Sequence, residues 1–326
     1  MAEKTKKLTN TVSITGYLKE NSLQKITNAK GMNIIKGNLI IATDKISSHK
    51  VQFYVSEQIT STGETSAEYE KLEQLLPANT ISVASYLMDN KNADFDTAAN
   101  AATKIWAVGR FDEYYTTTGE KENSYITIKG FRAGFATIDA EHPFRPHASF
   151  KVDGKIGKID PEVVDNVETG RLLVELYVPK YNGIMDIMDF VGDDEYTQQY
   201  KVVDYIKKHY AVGDTICIDG DIVNLQESLV QEVSTNDDYF GKPREPQYQT
   251  KFIRERRITG GNSRFSPIKE GKPGGITKKE VEEGLIKRHE KGVENGNKSS
   301  RAQQRMDQNN SSANSDVSTF DEGFGF

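Results

Sequence analysis

Short segments of alternating apolar and polar residues are the feature that most limits how this chain can fold. In residues 12–19 every second side chain is apolar or glycine, and residues 50–56 repeat the alternation. A period of two places one set of side chains on the buried face of a strand and the other set in solvent. Further segments of this kind lie at 33–43, 104–115 and 125–137. The sequence therefore predicts a mainly β protein.

One helical segment interrupts this first series of strands. Tyr69, Leu72 and Leu75 recur at helical spacing within residues 66–76, and Pro77 follows directly. Proline just beyond an apolar periodic run indicates the end of a helix. Three strands, a helix and two strands are the element order of a five-stranded Greek-key barrel of the OB type.

The same element order returns after a proline-containing segment at 141–149, which is predicted to be a linker because proline breaks regular structure. Strand-like segments lie at 150–156, 171–181 and 183–191, a helical segment at 195–210, and further strands at 215–225 and 249–259. The sequence thus predicts two tandem OB-like five-stranded Greek-key barrels, each with a helix between strands 3 and 4. Their predicted bounds are 1–140 and 150–259.

The segment 260–326 lacks strand periodicity and is predicted to be a flexible tail. Within it, Thr277 and Glu280 form a capping box ahead of an apolar stripe. A nascent helix is therefore predicted over 277–291, weakened by Gly284.

The tip of the tail, residues 321–326, carries two carboxylates and two phenyl rings on a polar tether. After Arg305 the chain has no further Lys or Arg, and the polar residues before the tip bury too little apolar surface to offset the entropy of ordering. This pattern is typical of a docking peptide, and a merely solubilising acidic end is the alternative. The residues predicted to contact a partner protein are Asp321, Glu322, Phe324 and Phe326.

Composition restricts the classes of function. The net charge of -6 at pH 7 means that any nucleic-acid binding must come from a local basic groove. The single cysteine, Cys217, lies in an apolar run, is predicted to be a buried thiol and cannot form an internal disulfide. The histidines lack zinc-like spacing and no phosphate-binding glycine loop is present, so no metal, cofactor or enzymatic activity is predicted. No apolar run approaches the roughly 18 residues of a membrane span, and a cytoplasmic location is expected.

Aromatic and basic side chains share the outward faces of the predicted strands. Single-stranded nucleic acid needs both, because bases stack on rings for about 1–3 kcal/mol each while Lys and Arg follow the phosphates. The residues predicted to contact it are Tyr17, Lys19, Lys36, Lys50, Tyr54, Tyr125, Lys129 and Phe131 in the first repeat, and Lys151, Lys155, Tyr177, Arg254 and Arg256 in the second.

Two barrel-like repeats followed by a polar tail that ends in acids and phenylalanines resemble a single-stranded DNA-binding protein, most closely the bacteriophage replication type. In that family the acidic tip recruits polymerase, helicase or recombination proteins and competes with DNA for the basic groove. The resemblance implies the same two roles for the tip here. Bacterial members usually hold one OB domain per chain and act as tetramers, and this tip differs from theirs in being less acidic and interrupted by Gly323 and Gly325.

Two other functions are compatible with the sequence. In a structural or scaffolding phage protein with two β-domains, the outward aromatic rings would form subunit interfaces. In a nuclease or nucleotidyltransferase subunit, paired acids such as Asp237 and Asp238 would bind metal, although such pairs are more typical of turns and helix starts. The aromatic and basic pattern fits RNA as well as DNA and fixes no oligomeric state.

Overall fold

The computed structural model describes residues 8–313, apart from residues 30, 60–62, 119–120, 140, 142, 199, 232–246, 262–267 and 273. Of residues 227–231, 247–250 and 298–313 it describes the backbone alone. Eleven strands form one mixed sheet, which confirms the prediction of a mainly β protein.

Five strands of the first half close into a ring, here called the first ring. The strands of this half are β1 (Asn10–Asn21), β2 (Gln24–Thr27), β3 (Asn33–Ala42), β4 (Ser48–Ser56), β5 (Lys104–Thr118) and β6 (Lys121–Phe135). Around the ring the order is β1-β3-β4-β6-β5 and back to β1, while β2 pairs with β3 alone. The β4–β6 pairing is parallel and the other pairings are antiparallel.

Three helices and a 3-10 turn connect β4 to β5. They are α1 (Ala67–Gln74), the turn Pro77–Asn79, α2 (Val83–Asp89) and α3 (Phe95–Ala101). Helix α1 is the one that the sequence predicts, and its N-cap Ser66 accepts a hydrogen bond from the Tyr69 backbone. Helices α2 and α3 escape prediction because each has only seven residues and few large apolar side chains, so their N-caps Ser82 and Asp94 are the stronger signals.

The second half forms a second ring with the same pairing pattern. Its elements are β7 (His147–Val164), β8 (Val167–Pro179), β9 (Met185–Gly192), α4 (Asp194–Thr197), α5 (Val202–His209), β10 (Thr215–Gln231) and β11 (Gln247–Gly261). The order around this second ring is β7-β8-β9-β11-β10 and back to β7, and the β9–β11 pairing is parallel.

Strands β1 and β7 join the two rings into one sheet. They pair antiparallel from Asn10 opposite Val152 to Thr15 opposite His147. Behind this pairing one apolar core contains residues of both rings, and the Phe150 ring lies 5.9 Å from the Phe111 ring and 5.2 Å from the Phe190 ring. The two rings of strands therefore pack directly against each other.

Glycine is needed at two points where the backbone of a neighbouring strand approaches closely. A Cβ on Gly16 would lie 2.3 Å from the Ala42 carbonyl oxygen, and one on Gly220 would lie 1.9 Å from that of Arg257. Both contacts are far below van der Waals separation, so no other residue fits without moving the neighbouring strand. A bulge in the pairing falls at Gly220.

The last described helix, α6 (Lys278–Ala313), begins where the capping box predicts it. Thr277 N donates to Glu280 Oε2 at 2.6 Å, and Glu280 N donates to Thr277 Oγ1 at 3.1 Å. Part of the segment expected to be flexible is thus ordered, because Ile276 and Val281 pack with Met185 of β9. No helix in the described part of the chain is both long and apolar enough to cross a membrane.

His49 of β4 is buried in the first ring with only 1% of its surface exposed. Its Nε2 lies 3.4 Å from Ser47 Oγ and 3.5 Å from Thr43 Oγ1, and burial lowers the pKa of the imidazole to about 4. The folded chain therefore holds this imidazole neutral at pH values where the unfolded chain protonates it.

The free energy of unfolding should consequently fall as the pH drops from about 6.5 to 4, and His49 should account for about 3 kcal/mol of that fall. Urea unfolding of the parent protein and of His49→Gln across this range measures the contribution. Asp186, whose pKa burial raises to about 6, acts in the opposite direction in both proteins, so the difference between them reports His49. Parallel pH profiles for the two proteins would contradict the assignment.

Candidate nucleic-acid interface

An open groove lies on the outer surface of the first ring, across β3, β4, β6 and β5. Lys36 stands opposite Tyr54, Gln52 opposite Lys129, and Lys129 opposite Arg110 in the strand pairings. We call this surface the first-ring face; the residues that line it are Lys36, Gly37, Asn38, Gln52, Phe53, Tyr54, Arg110, Lys129, Gly130 and Phe131.

Two aromatic rings of the first-ring face are held in solvent. Tyr54 is 68% exposed and Phe131 is 41% exposed. Tyr54 points outward because its strand neighbours on the opposite face, Val51 and Phe53, are buried in the core. The same alternation that buries apolar side chains inside the first ring thus leaves aromatic side chains exposed on its outer surface.

A second groove, here called the inter-ring groove, lies between the two rings and has a volume of about 400 Å³. From the first ring it is lined by Lys50, Gln52, Tyr125 and Thr127, and from the second by Asn224, Glu255, Arg254 and Arg256. Gln52 lines both grooves, so they adjoin each other. The side chain of Asn224 donates to the Ser48 carbonyl and helps to hold the hairpin of the second ring in place.

Aromatic pairs and cation–ring contacts continue along the hairpins. Tyr114 and Tyr125 are cross-strand partners whose ring centroids lie 5.1 Å apart, and they are 41% and 58% exposed. On the second ring the Arg254 guanidinium lies 5.5 Å from the Phe252 ring centroid, and Phe252 is 55% exposed. Exposed aromatic rings therefore lie on both the β5–β6 and the β10–β11 hairpin, and in the second hairpin a guanidinium is adjacent.

The cations of the two grooves differ in how they are engaged. Within the described part of the chain, no carboxylate forms an ion pair with Lys36, Lys50, Arg110 or Arg254. Lys129 instead pairs with Asp112. Burial opposes ionisation of Asp112, but Lys129 and Lys180 hold its pKa below the usual value.

Arg256 also contacts groups outside the groove that it lines. Its Nε donates to the Asp189 carbonyl at 2.7 Å, and its guanidinium lies 5.8 Å from the Phe111 ring and 5.5 Å from the Phe190 ring. Arg256 thus lines the inter-ring groove and also stabilises the contact between the first and second rings of strands.

Eight of the thirteen residues predicted to contact nucleic acid come together in these two grooves. They are Lys36, Tyr54, Lys129 and Phe131 on the first-ring face and Lys50, Tyr125, Arg254 and Arg256 in the inter-ring groove. Sequence reasoning missed Arg110, Gln52 and Tyr114. Arg110 and Tyr114 carry the signal that could have found them, because they alternate with buried Phe111 along β5.

The other five predicted residues lie elsewhere. Tyr17 is half-buried against α2 and α3, and its ring meets the Phe144 ring edge-on at 5.1 Å. Lys19 is half-buried, with its Nζ 3.5 Å from Ser48 Oγ. Lys151 is exposed on β7 between Thr11 and Asp219 and lines neither groove.

The structure contradicts the placement of Lys155 on an open binding face, and Tyr177 lines neither groove. Lys155 is only 5% exposed, and its ammonium donates to the Ile276 carbonyl at 3.2 Å and pairs with Glu270 at 3.4 Å. The chain that follows the second ring covers it. Tyr177 is half-buried beside Met185, and burial, together with neighbouring Glu175, raises its pKa.

The second ring carries acids where the first ring carries cations. Strands β8 and β9 correspond in ring order to β3 and β4, and they place Glu175 opposite Asp189. Burial and the neighbouring Asp189 raise the pKa of Glu175. Lys158 is drawn to Asp160 in the same region. The second ring therefore contributes its β10–β11 hairpin, rather than this surface, to the grooves.

The four residues predicted to contact a partner, Asp321, Glu322, Phe324 and Phe326, lie outside the described residues.

Comparisons with known proteins gave one matching family model and alignments to several solved structures, two of which are described here. The family model YorF matches residues 8–292. A crystal structure of a deletion mutant of the single-stranded DNA binding protein from Thermus aquaticus aligns with a TM-score of 0.44 at 11% identity, covering 82% of this chain and 98% of that one. The wild-type protein from the same organism aligns with a TM-score of 0.36 at 13% identity, covering 67% and 86%. No curated protein matches. Because the matched segment takes in both rings and the start of α6, the chain belongs to the YorF family.

Proposed function

We propose that this protein binds single-stranded DNA with little sequence preference, along the first-ring face and the inter-ring groove. The observation that carries the proposal is the clustering of exposed rings and cations on adjacent strands, with Tyr54 and Phe131 beside Lys36, Lys129 and Arg110. Bases stack on such rings whatever their identity, while the cations neutralise phosphates. Stacking and phosphate neutralisation do not depend on which base is bound, so we expect little sequence preference.

We further infer that each ring is an OB-type Greek-key barrel, close to the predicted bounds 1–140 and 150–259, although β7 begins at His147 and β11 ends at Gly261. The pairing pattern supports this. In the first ring β1, β3 and β4 are neighbours in chain order, and β5 returns after the helices to lie beside β1, as in a Greek key. OB barrels bind oligonucleotides on their second and third strands and on the loop between the fourth and fifth. Here those elements are β3, β4 and the β5–β6 hairpin, which build the grooves.

Binding through phosphates predicts a strong dependence on salt. If Lys36, Lys50, Arg110 and Arg254 each neutralise one phosphate, log K against log salt should have a slope of about -3, a loss of about 50-fold between about 50 and 200 mM. Fluorescence anisotropy of a labelled oligo(dT) measures this, with duplex DNA and RNA of equal length as comparisons. Duplex DNA should bind more weakly, because its bases cannot reach the rings. Affinity that is independent of salt, or preference for the duplex, would exclude the groove as the binding site.

We also propose that the protein acts in replication or recombination and that residues 321–326 recruit its partner proteins. The acidic and aromatic sequence of this tip supports the proposal. The carboxylates of the tip can pair with the same cations that hold phosphates, so the tip should compete with DNA.

Deleting residues 317–326 should therefore tighten binding to oligo(dT), most at low salt, and abolish the pull-down of replication proteins from cell extract. The rings should keep their thermal stability, because the deletion lies outside their strands. Unchanged affinity together with retained partners would show that the tip is a solubilising end.

A further inference from the structure

The turn that joins β8 to β9 reaches from the second ring to the first-ring face. Within it Lys180 places its ammonium 2.7 Å from Asp186 Oδ1, 3.1 Å from Asp112 Oδ1 and 3.3 Å from the Glu113 carbonyl oxygen. Asp112 and Glu113 belong to β5, which forms the edge of the first-ring face. Lys180 therefore fastens the turn of one ring to the binding surface of the other.

Hydrogen bonds fix the shape of this turn. Lys180 N donates to the Ile184 carbonyl at 2.8 Å, and Gly183 N donates to the Lys180 carbonyl at 3.0 Å. Asn182 Oδ1 accepts from Ile184 N at 3.2 Å, and Gly183 adopts the left-handed conformation with a φ of 73°. The residue between these contacts, Tyr181, is thus carried on a defined backbone.

The Tyr181 side chain projects from the turn and is 89% exposed. Its ring centroid lies 5.8 Å from the guanidinium of Arg110, a residue that lines the first-ring face. Arg110 is in turn the cross-strand partner of Lys129. A solvent-exposed ring with a neighbouring cation therefore stands at the edge of the groove, and packing in the core does not explain it.

We propose that Tyr181 and Arg110 form an additional base-stacking subsite, which the second ring contributes to the first-ring face. An unpaired base stacks on the exposed Tyr181 ring, and Arg110 contacts the adjoining phosphate. The subsite rests on the proposed function, since it extends the same DNA path beyond Lys129. The contact between the first and second rings would then also have a role in binding, because Lys180 positions the turn that carries Tyr181.

Three variants test the subsite by anisotropy with labelled oligo(dT). Tyr181→Ala should weaken binding by about 5- to 150-fold, the loss of one stacked base. Tyr181→Phe keeps the ring and should bind within about twofold of the parent protein. Tyr200→Ala is the matched control, because Tyr200 is 66% exposed but lines neither groove, and it should bind as the parent does.

A spectroscopic readout reports the contact itself. In a Trp106→Phe background, Tyr181→Trp places the only tryptophan in the subsite, and oligo(dT) should quench its emission. If the parent protein binds oligo(dT) but Tyr181→Ala binds equally well and the Tyr181→Trp emission is unchanged, the subsite is wrong while the proposed function stands. If the parent protein itself fails to bind, the proposed function is wrong and the subsite with it.

Discussion

Replacing Arg288 with Met should lower the free energy of unfolding by about 3–5 kcal/mol, the usual effect of removing one partner of a buried ion pair. Arg288 of α6 is 5% exposed, and its Nε and terminal nitrogen lie 3.0 and 2.7 Å from the two carboxylate oxygens of Glu113. Glu113 of β5 is 3% exposed and also accepts from Ile187 N of β9 at 2.9 Å. The variant leaves this carboxylate buried beside one remaining backbone donor.

The loss should come from the uncompensated charge rather than from lost packing. Arg288 also pairs with Glu122 and lies 4.6 Å from the Tyr115 ring, so methionine replaces part of its apolar contact. Urea unfolding monitored by circular dichroism measures the change. The double variant Arg288→Met with Glu113→Gln removes both charges of this pair and should recover part of the stability.

This experiment also decides whether α6 belongs to the folded body. A helix that is nascent, as the sequence alone predicts, would tolerate Arg288→Met with a change of less than about 0.5 kcal/mol. Such a result would contradict the placement of α6 against β5 and β9.

The double variant Tyr54→Ala with Phe131→Ala should weaken binding to oligo(dT) by about 2–6 kcal/mol if each ring stacks on a base. That range corresponds to at least about 30-fold in the dissociation constant. The two rings line one groove, so their contributions need not add, and both single variants should be measured.

Stability must be unchanged for this result to be informative. Tyr54 and Phe131 are exposed by 68% and 41%, so their removal should leave thermal unfolding nearly as it is. Tyr205→Ala serves as the control, because Tyr205 is 53% exposed on α5 and lines neither groove. If the double variant and the control bind equally, the side chains of Tyr54 and Phe131 do not stack on bases.

The sequence predicts the strands and much of the candidate site because both depend on local alternation. Once Val51 and Phe53 are buried, Lys50, Gln52 and Tyr54 must face outward. Helix α1, which follows β4, is likewise predicted from the helical spacing of its apolar residues and from the proline after it.

Long-range contacts account for what the sequence could not predict. Lys155 has the same alternating context as the exposed lysines, but the chain near Ile276, more than a hundred residues later, covers it. Tyr181 lies in an ordinary turn sequence, and its place beside Arg110 depends on how the two rings meet. The docking of α6 depends in the same way on Glu113, which only the folded sheet brings opposite Arg288.

Photo-crosslinking of oligo(dT) that contains 5-iododeoxyuridine, followed by mass spectrometry of the peptides, identifies the side chains that contact the bound strand. We expect crosslinks at Tyr54, Phe131 and Tyr125, in the first-ring face and the inter-ring groove. The yield should fall as salt rises, in parallel with affinity. Crosslinks confined to Tyr177 and Tyr205 of the second ring would contradict binding along the first-ring face and the inter-ring groove and would place the nucleic acid on a different surface.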